Sequence, residues 1–306
     1  MSSSRPGRAF HVAVELSGEP RPEDADVLRA EQAGFTFATF DDAPAGVFQV
    51  DATVRAAHAA TRTSGIGLAP TSHVLTAEPF HLAAQLASLD HATHGRAAWI
   101  VGTAASPDAL ATVGRDRPAD LRQEVADVVE TVRRLWDSWE DDAVVKDLAT
   151  GRYLDPGKVH HIDFAGETFS VKGPLITPRP PQGSLVVLAA EEFADVVAPD
   201  IVLVQGDLSA PRARKAPLVF GELDFDHATD GRQFAARVAR LADRLDGVRL
   251  RPANLAADLP VLADEALPEL RRLGLHTPPE PGATLRATLG LPRPENRFAV
   301  LSKGIA

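Results

Sequence analysis

Short apolar runs alternate with longer segments of helical periodicity along most of the chain. Strands that alternate with helices form a parallel sheet with crossover helices. Eight such strands close into a barrel whose interior is filled by side chains. The pattern therefore predicts one (β/α)8 barrel domain over residues 1–306. The candidate strands are His11–Leu16, Phe35–Phe40, Gly65–Leu68, Ala97–Val101, Leu185–Ala189, Ile201–Val204, Leu218–Phe220 and Val248–Leu250.

The segments between these runs carry helix signals. The strongest lies between Leu121 and Trp139, where apolar residues recur with the spacing of one helical face. Two further helices are predicted over about Pro22–Ala33 and over Pro79–His91. Another helix is predicted between Asp230, a suitable N-cap, and Gly247.

Charge and composition narrow the function. The formal net charge of -10, without any block of Lys and Arg, disfavours nucleic acid and anionic membranes as partners. The absence of cysteine excludes disulfides, Fe–S ligation and a thiolate nucleophile. The histidines have no metal-binding spacing, so no metal is expected. No apolar run approaches the roughly 18 residues of a membrane span, and no signal peptide is evident. We expect a cytoplasmic protein that acts on small molecules.

Three stretches resemble one family. They are EPFHLAAQLASLDHATHGRAAW (Glu78–Trp99), the segment Leu135–Gly183, and LPELRRLGL with GATLRATLGLPRPENRFA near the C-terminus. Together they resemble the flavin-dependent monooxygenases of the bacterial luciferase type. The most similar branch contains nitrilotriacetate monooxygenase, dibenzothiophene-sulfone monooxygenase and the pristinamycin synthase components.

This resemblance implies a luciferase-like barrel that uses reduced FMN, supplied by a separate flavin reductase, and O2 on a small organic substrate. The protein would hold the isoalloxazine and exclude water. The deazaflavin F420, used by more distant relatives, is the weaker alternative. The resemblance also implies a homodimer. The segment Thr284–Ala299 has several apolar side chains to bury and is expected to pack against the barrel.

Ligand groups of such a barrel lie at the C-terminal ends of its strands. The resemblance places flavin contacts at Asp41 after strand two, at Thr71 after strand three and at Thr103 after strand four. Each residue also has an ordinary interpretation, as a helix cap or as part of a polar turn. His73, on the loop expected after strand three, is the candidate catalytic group.

Other positions depart from the family. Ile100 stands where the branch has a flavin-binding asparagine, and Arg122 stands where it has a tyrosine that reaches the flavin. Arg122 could bind a phosphate bidentately or simply face solvent. The family's Ser-Ser-x-x-Gly loop, which holds the FMN phosphate at a helix N-terminus, is replaced by the shorter Ala189–Phe193. Glu191 and Glu192 would repel a phosphate by on the order of a few kcal/mol.

Two functions stay open. The first is a reduced-flavin-dependent monooxygenase. The second is a catalytically degenerate barrel that serves as a non-flavin binding or partner subunit. The segment Gln205–Lys215 is much shorter than the insertion that builds part of the substrate pocket in the family, so the expected site is smaller or more open. Binding of FMN distinguishes the two functions.

Overall fold

The computed structural model describes residues 9–17, 24–45, 50–208 and 216–299. Eight parallel strands form a closed barrel in the order β1-β2-β3-β4-β9-β10-β11-β12, with β12 pairing back to β1. The predicted (β/α)8 barrel is therefore confirmed. The barrel strands are β1 His11–Glu15, β2 Phe37–Phe40, β3 Gly67–His73, β4 Ala98–Gly102, β9 Val186–Ala190, β10 Ile201–Val204, β11 Leu218–Phe225 and β12 Gly247–Pro252.

Helices surround the barrel, and α8 and α9 are joined through a π-helical turn, Leu262–Ala266. The helix predicted from Leu121 ends at Asp137, and its N-cap Asp120 accepts hydrogen bonds from two backbone amides. In the described part of the chain, every helix is too short or too polar to cross a bilayer. The α-helices are α1 Asp24–Ala33, α2 Ala52–Ala60, α3 Pro79–Ala92, α4 Pro107–Ala111, α5 Leu121–Asp137, α6 Ala194–Val197, α7 Gly231–Ala239, α8 Leu255–Val261, α9 Leu267–Arg272 and α10 Leu285–Thr288.

The third strand is longer than the sequence pattern predicted. It runs past Pro70, which pairs with the last residue of β2, because β4 then continues the ladder as far as His73. Thr71 and His73 were expected in the loop after this strand. They are strand residues instead, and their backbone positions are fixed by hydrogen bonds to β4.

The segment Leu135–Gly183 lies between β4 and β9 and carries two small hairpins. These are β5 Val144–Asp147 with β6 Arg152–Leu154, and β7 Phe164–Ala165 with β8 Ser170–Val171. The buried guanidinium of Arg179 holds this excursion to the end of α5, at 2.9 Å from Asp137 and 3.0 Å from Asp141.

The acidic run Glu140–Asp142 follows α5, and each of its three carboxylates pairs with a basic side chain. Asp141 accepts hydrogen bonds from Arg293 and Arg179. The bond from Arg293, followed by that from Arg179, lowers the pKa of the Asp141 carboxyl to about 2 against the effect of partial burial. The run therefore joins the excursion to the C-terminal segment.

The C-terminal segment closes the N-terminal end of the barrel. Leu285, Leu289 and Leu291 belong to the same buried cluster as the side chains that point into the barrel. A Cβ at Gly67, the first residue of β3, would lie 2.8 Å from Leu285, so the glycine makes room for this contact. The prediction that Thr284–Ala299 packs against the barrel is confirmed. The cluster's strand residues are Ala13, Phe37, Ala69, Ala98, Ile100, Val186, Leu188, Ile201, Leu203, Leu218 and Phe220.

Polar contacts anchor this closure. The guanidinium of Arg286 pairs with both carboxylate oxygens of Asp200 at 3.0 and 2.9 Å. The side-chain oxygen of Gln182 accepts the backbone N–H of Arg286 at 3.0 Å, and its amide donates to Asp90 at 2.7 Å. Asp90, Gln182 and Arg286 come from the three different stretches that carry the family resemblance. The three stretches therefore meet where this barrel is closed.

Leu285→Ala should destabilise the fold by about 2–5 kcal/mol, because it removes a fully packed side chain from the closed end of the barrel. Urea unfolding measures the difference. The matched control is Leu148→Ala, since Leu148 is 98% exposed and its loss should change stability by no more than about 0.5 kcal/mol. Equal effects of the two substitutions would contradict this account of the closure.

The carboxyl of Asp90 makes stability depend on pH. Burial raises its pKa to about 6, although hydrogen bonds from Gln182 and Ala97 oppose the shift. The folded state therefore binds a proton that the unfolded state lacks between about pH 4 and pH 6. The unfolding free energy of the wild type, relative to Asp90→Asn, should fall by about 1 kcal/mol from pH 5 to pH 7. If the difference in unfolding free energy between the two proteins is constant or rises over this range, the pKa of Asp90 is not raised in the folded state.

Candidate functional site

The predicted site residues lie at one rim of the barrel, which we call the mouth. Asp41 directly follows β2, and Thr103 directly follows β4. Thr71 and His73 lie within the last three residues of β3, and Arg122 is in the first turn of α5. The C-terminal ends of parallel barrel strands share one face of the fold. The structure therefore brings all five residues to the face where barrel enzymes bind ligands, although their roles stay predictions.

A buried ion-paired cluster forms the floor of the mouth. Arg249 of β12 donates through Nε to the hydroxyl of Thr39 at 3.0 Å. Its Nη1 pairs with Glu222 and its Nη2 with Glu15, and Gln205 also donates to Glu222. These residues lie in, or directly follow, five neighbouring strands, β2, β1, β12, β11 and β10. We call this set the floor cluster.

The floor cluster was not predicted from the sequence. Its ion pairs determine how much positive charge the site can offer to a ligand. The guanidinium of Arg249 is 9% exposed and the Glu222 carboxylate 5%. Burial raises the pKa of Glu15, while Arg249 opposes the shift. Separating one partner from such a buried pair costs about 3–5 kcal/mol. The charge of Arg249 is therefore committed to Glu15 and Glu222, so it offers little attraction to a ligand phosphate.

His73 is held by backbone groups. Its Nδ1 lies 3.1 Å from the amide nitrogen of Ala104, which can only donate. Its Nε2 must then carry the ring proton and donate to the carbonyl oxygen of Asp42, 3.1 Å away. Both ring nitrogens thus join the segments that follow β2 and β4. This geometry favours a positioning role over the predicted catalytic one, which stays a hypothesis.

Asp41 and Thr71 differ in exposure. The backbone N–H of Asp41 donates to the hydroxyl of Ser17 at 2.6 Å, while its side chain is exposed at the rim. Thr71 is buried and shares a face of β3 with Ala69, which is part of the barrel interior. Thr103 is half-buried after β4. The two threonines could contact a ligand that enters the barrel, and Asp41 a ligand at the rim.

The segment after β9 differs from a phosphate-binding loop. A single 3-10 turn, Glu191–Phe193, leads into α6, which has only four residues. Arg122 reaches across to this segment and donates to the backbone oxygen of Glu192 at 2.6 Å. Its Nη2 also pairs with both carboxylate oxygens of Asp195 at 2.6 Å. The guanidinium fork that could hold a phosphate is therefore occupied by a carboxylate of the protein itself.

The residues present do not fit the phosphate of FMN. The turn after β9 offers no hydroxyl and carries two glutamates, Glu191 and Glu192. Ile100 lies in the apolar barrel interior and provides no side-chain donor. A phosphate brought to this segment would meet carboxylates and an arginine that is already paired.

Asp226, His227 and Asp258 form a group of possible metal ligands with a simpler explanation. One oxygen of Asp258 accepts from both the backbone N–H and the Nδ1 of His227, at 2.7 and 2.8 Å. The other accepts the backbone N–H of Asn254 at 2.8 Å, at the start of α8. The buried carboxylate thus caps a helix and fixes the preceding turn.

The closed barrel of eight parallel strands defines a TIM-barrel protein. Enzymes of this fold bind their ligands at the face that we call the mouth. Residues 11–199, more than half of the chain, match the family model of luciferase-like monooxygenases. The chain belongs to this family, as the sequence resemblance predicted.

Individual relatives differ in length. One component of the pristinamycin IIA synthase of Streptomyces pristinaespiralis, named as a subunit of that enzyme, is 36% identical over 278 residues, which cover 90% of both chains. N-acetyl-S-(2-succino)cysteine monooxygenase of Bacillus subtilis (strain 168) is 34% identical over 205 residues. These cover 66% of this chain but only 43% of that enzyme, so the chain spans less than half the length of that relative. A riboflavin lyase, solved with modified FMN and riboflavin, has a TM-score of 0.81 at 20% identity over 95% of this chain and 98% of its own.

Gly102→Ala should destabilise the mouth, because a Cβ at this position would lie 2.4 Å from Nδ1 of His73. Displacing the ring would break the bond from Ala104, and we expect a loss of about 1–3 kcal/mol in unfolding free energy. Thermal unfolding of the two proteins measures this loss of stability. Gly157→Ala is the control, since the nearest atom there is at 3.5 Å. A Gly102→Ala protein as stable as the control would show that His73 does not hold these segments.

Proposed function

We propose that the chain is a subunit of a luciferase-type, reduced-flavin-dependent monooxygenase that acts on a small organic substrate, and that its own barrel does not hold the FMN phosphate. The observation that carries this proposal is the ion pair between Arg122 and Asp195 beside Glu191 and Glu192. The group that could bind a phosphate is neutralised there, and the neighbouring carboxylates repel one.

The comparison that covers most of the chain supports a subunit role. The relative that matches 90% of this chain, with 90% of its own length, is named as a subunit of a synthase. By that likeness, we propose a second protein subunit as partner. The reduced flavin, supplied by a separate reductase, would then act in the assembled enzyme.

The mouth could still bind a small molecule. The floor cluster combines carboxylate oxygens of Glu15 and Glu222 with the hydroxyl of Thr39. Such groups orient a neutral, polar ligand by hydrogen bonds, while the apolar cluster beneath, closed by Leu285, excludes water from the other end. We derive no chemical step from these residues.

The second candidate is a complete monooxygenase whose barrel binds reduced FMN by other groups. The observation that favours it is the position of Asp41, Thr71 and Thr103, which lie at the mouth where the family resemblance places flavin contacts. F420 stays the weaker alternative cofactor. A homodimer and a cytoplasmic location also stay proposals. Light scattering at micromolar concentration tests the dimer, and a monomer would count against it.

FMN and riboflavin should bind this protein about equally and weakly, because we expect no group of the mouth to bind the FMN phosphate. Each charge-assisted bond that is missing costs roughly 1.5–3 kcal/mol, so two missing bonds weaken FMN binding by about a hundredfold or more. Paired fluorescence titrations measure both affinities, and a Glu191→Ser/Glu192→Gly protein should gain affinity for FMN but not for riboflavin.

The matched control is Glu167→Ser, an exposed glutamate on the β7–β8 hairpin. It should leave both affinities unchanged. Sub-micromolar binding of FMN to the wild type, with far weaker riboflavin, would overturn the proposal and favour the complete monooxygenase. Arg122→Gln would then test whether Arg122 releases Asp195 to hold the phosphate.

A further inference from the structure

The two glutamates of the floor cluster differ in how fully their oxygens are used. Glu222 accepts hydrogen bonds at both oxygens, at Oε1 from Arg249 and at Oε2 from the side-chain amide of Gln205. Glu15 accepts at Oε2 only, from Nη2 of Arg249. In the described part of the chain, no donor reaches Oε1 of Glu15. One carboxylate oxygen of the floor cluster is therefore open to a ligand.

Glu15 is also the most accessible charged group of the floor cluster. Its side chain is 18% exposed, against 9% for Arg249 and 5% for Glu222. Glu15 is the last residue of β1 and lies on the same face as Ala13, which points into the barrel interior. The C-terminal end of the strand faces the mouth. Arg249, itself held by Thr39, therefore fixes this carboxylate in place at the mouth.

The charges around Glu15 disfavour an anionic ligand. Burial raises the pKa of the Glu15 carboxyl, Arg249 opposes this shift, and the negative charges of Asp41 and Glu222 add to it. Three carboxylates thus share the guanidinium of Arg249. A carboxylate or phosphate of a ligand would add to this negative charge where burial lowers the effective dielectric.

Two further arginines near this set are already balanced by carboxylates. Arg251 of β12 pairs with Asp224 of β11 at 2.8 Å. Arg55 of α2 lies among three carboxylates that follow β2 or cap α2. Among the described residues of this part of the mouth, carboxylates therefore outnumber arginines, and the field favours neutral ligands over anions. The carboxylates around Arg55 are those of Asp42, Asp41 and Asp51.

We propose that Glu15 determines the substrate specificity of the mouth: its open oxygen accepts a hydrogen bond from an N–H or O–H group of an uncharged substrate, and the surrounding carboxylates exclude acidic compounds. This inference rests on the proposed function, because it names the class of small molecule that the mouth binds. A partly buried acceptor discriminates between ligands, since a ligand without a donor leaves it unpaired. Glu15 binds and orients the substrate, and no chemical step is assigned to it.

Three closely matched probes separate the donor from the charge. Benzamide has an N–H donor, methyl benzoate is neutral without a donor, and benzoate is an anion. Isothermal titration calorimetry with the full-length protein, at about pH 8 so that carboxyls are ionised, measures the three affinities. Benzamide should bind the wild type about tenfold or more tightly than benzoate, and methyl benzoate should bind more weakly than benzamide. Glu15→Gln should lower the benzamide-to-benzoate ratio about tenfold, because glutamine is neutral and can donate to benzoate.

The control is Glu167→Gln, an exposed glutamate of the β7–β8 hairpin, which should leave the ratio unchanged. Asp41→Asn should lower the ratio only about twofold, since Asp41 acts on the ligand from a greater distance. A variant that is merely less stable would weaken the binding of all three probes alike. An unchanged ratio in Glu15→Gln, an equal loss in Asp41→Asn, or no binding of benzamide up to about 50 mM would overturn the proposal.

A measurement on the wild type tests the same contact if Glu15→Gln does not fold. In backbone-assigned NMR spectra, benzamide should shift the amide signals of Glu15 and Leu16 and leave those of α10, at the closed end of the barrel, unchanged. Benzamide binding without shifts at Glu15 and Leu16 would overturn the proposal. Because these probes contain neither a flavin nor a phosphate, this test can fail while the FMN titrations succeed, and the reverse.

Discussion

The contact between Asp90, Gln182 and Arg286 is the constraint on which the barrel's architecture depends. It joins the end of α3, the proline-rich loop before β9 and the C-terminal helix α10 at one point. The leucines of α10 and the residues after it then fill the N-terminal end of the barrel. The three residues come from the three stretches that resemble the luciferase-like family, so these stretches meet at the closed end of this barrel. The resemblance says less about the opposite end, where the ligand would bind.

The mouth has its own organisation. The floor cluster ties five neighbouring strands together through Arg249, and His73 joins the segments after β2 and β4. Arg122 is bound to Asp195 and to the backbone of Glu192. These interactions keep the charged groups of the mouth paired with one another. A family framework is thus combined with a mouth that does not offer a phosphate site, and this combination underlies the proposal of a subunit role.

Much of the fold could be predicted from the sequence, because each barrel strand is a short apolar run and α5 carries a clear apolar stripe. The end of β3 could not be predicted from the sequence, because its continuation past Pro70 depends on pairing with β4 rather than on local propensity. The C-terminal closure was foreseen from the apolar residues of Thr284–Ala299 alone. Its polar anchor at Arg286 depends on contacts between residues about 86 to 104 positions apart, which single-sequence patterns do not reveal.

The site was predicted in part. The missing phosphate loop at Ala189–Phe193 was evident from residue types, and the structure adds the pairing of Arg122. The floor cluster was missed, although alternation along each strand places Glu15, Glu222 and Arg249 on one face once a barrel is assumed. Which carboxylate pairs with the arginine depends on the register between β12 and its neighbours, which needs the structure.

The central claim is that the segment after β9 does not bind the FMN phosphate. Hydrogen–deuterium exchange of the intact protein, with and without FMN at about millimolar concentration, tests it most directly, because backbone amides that bind a phosphate exchange more slowly. The account predicts unchanged exchange in Glu191–Phe193 and α6. Slower exchange there on addition of FMN, absent with riboflavin, would contradict it.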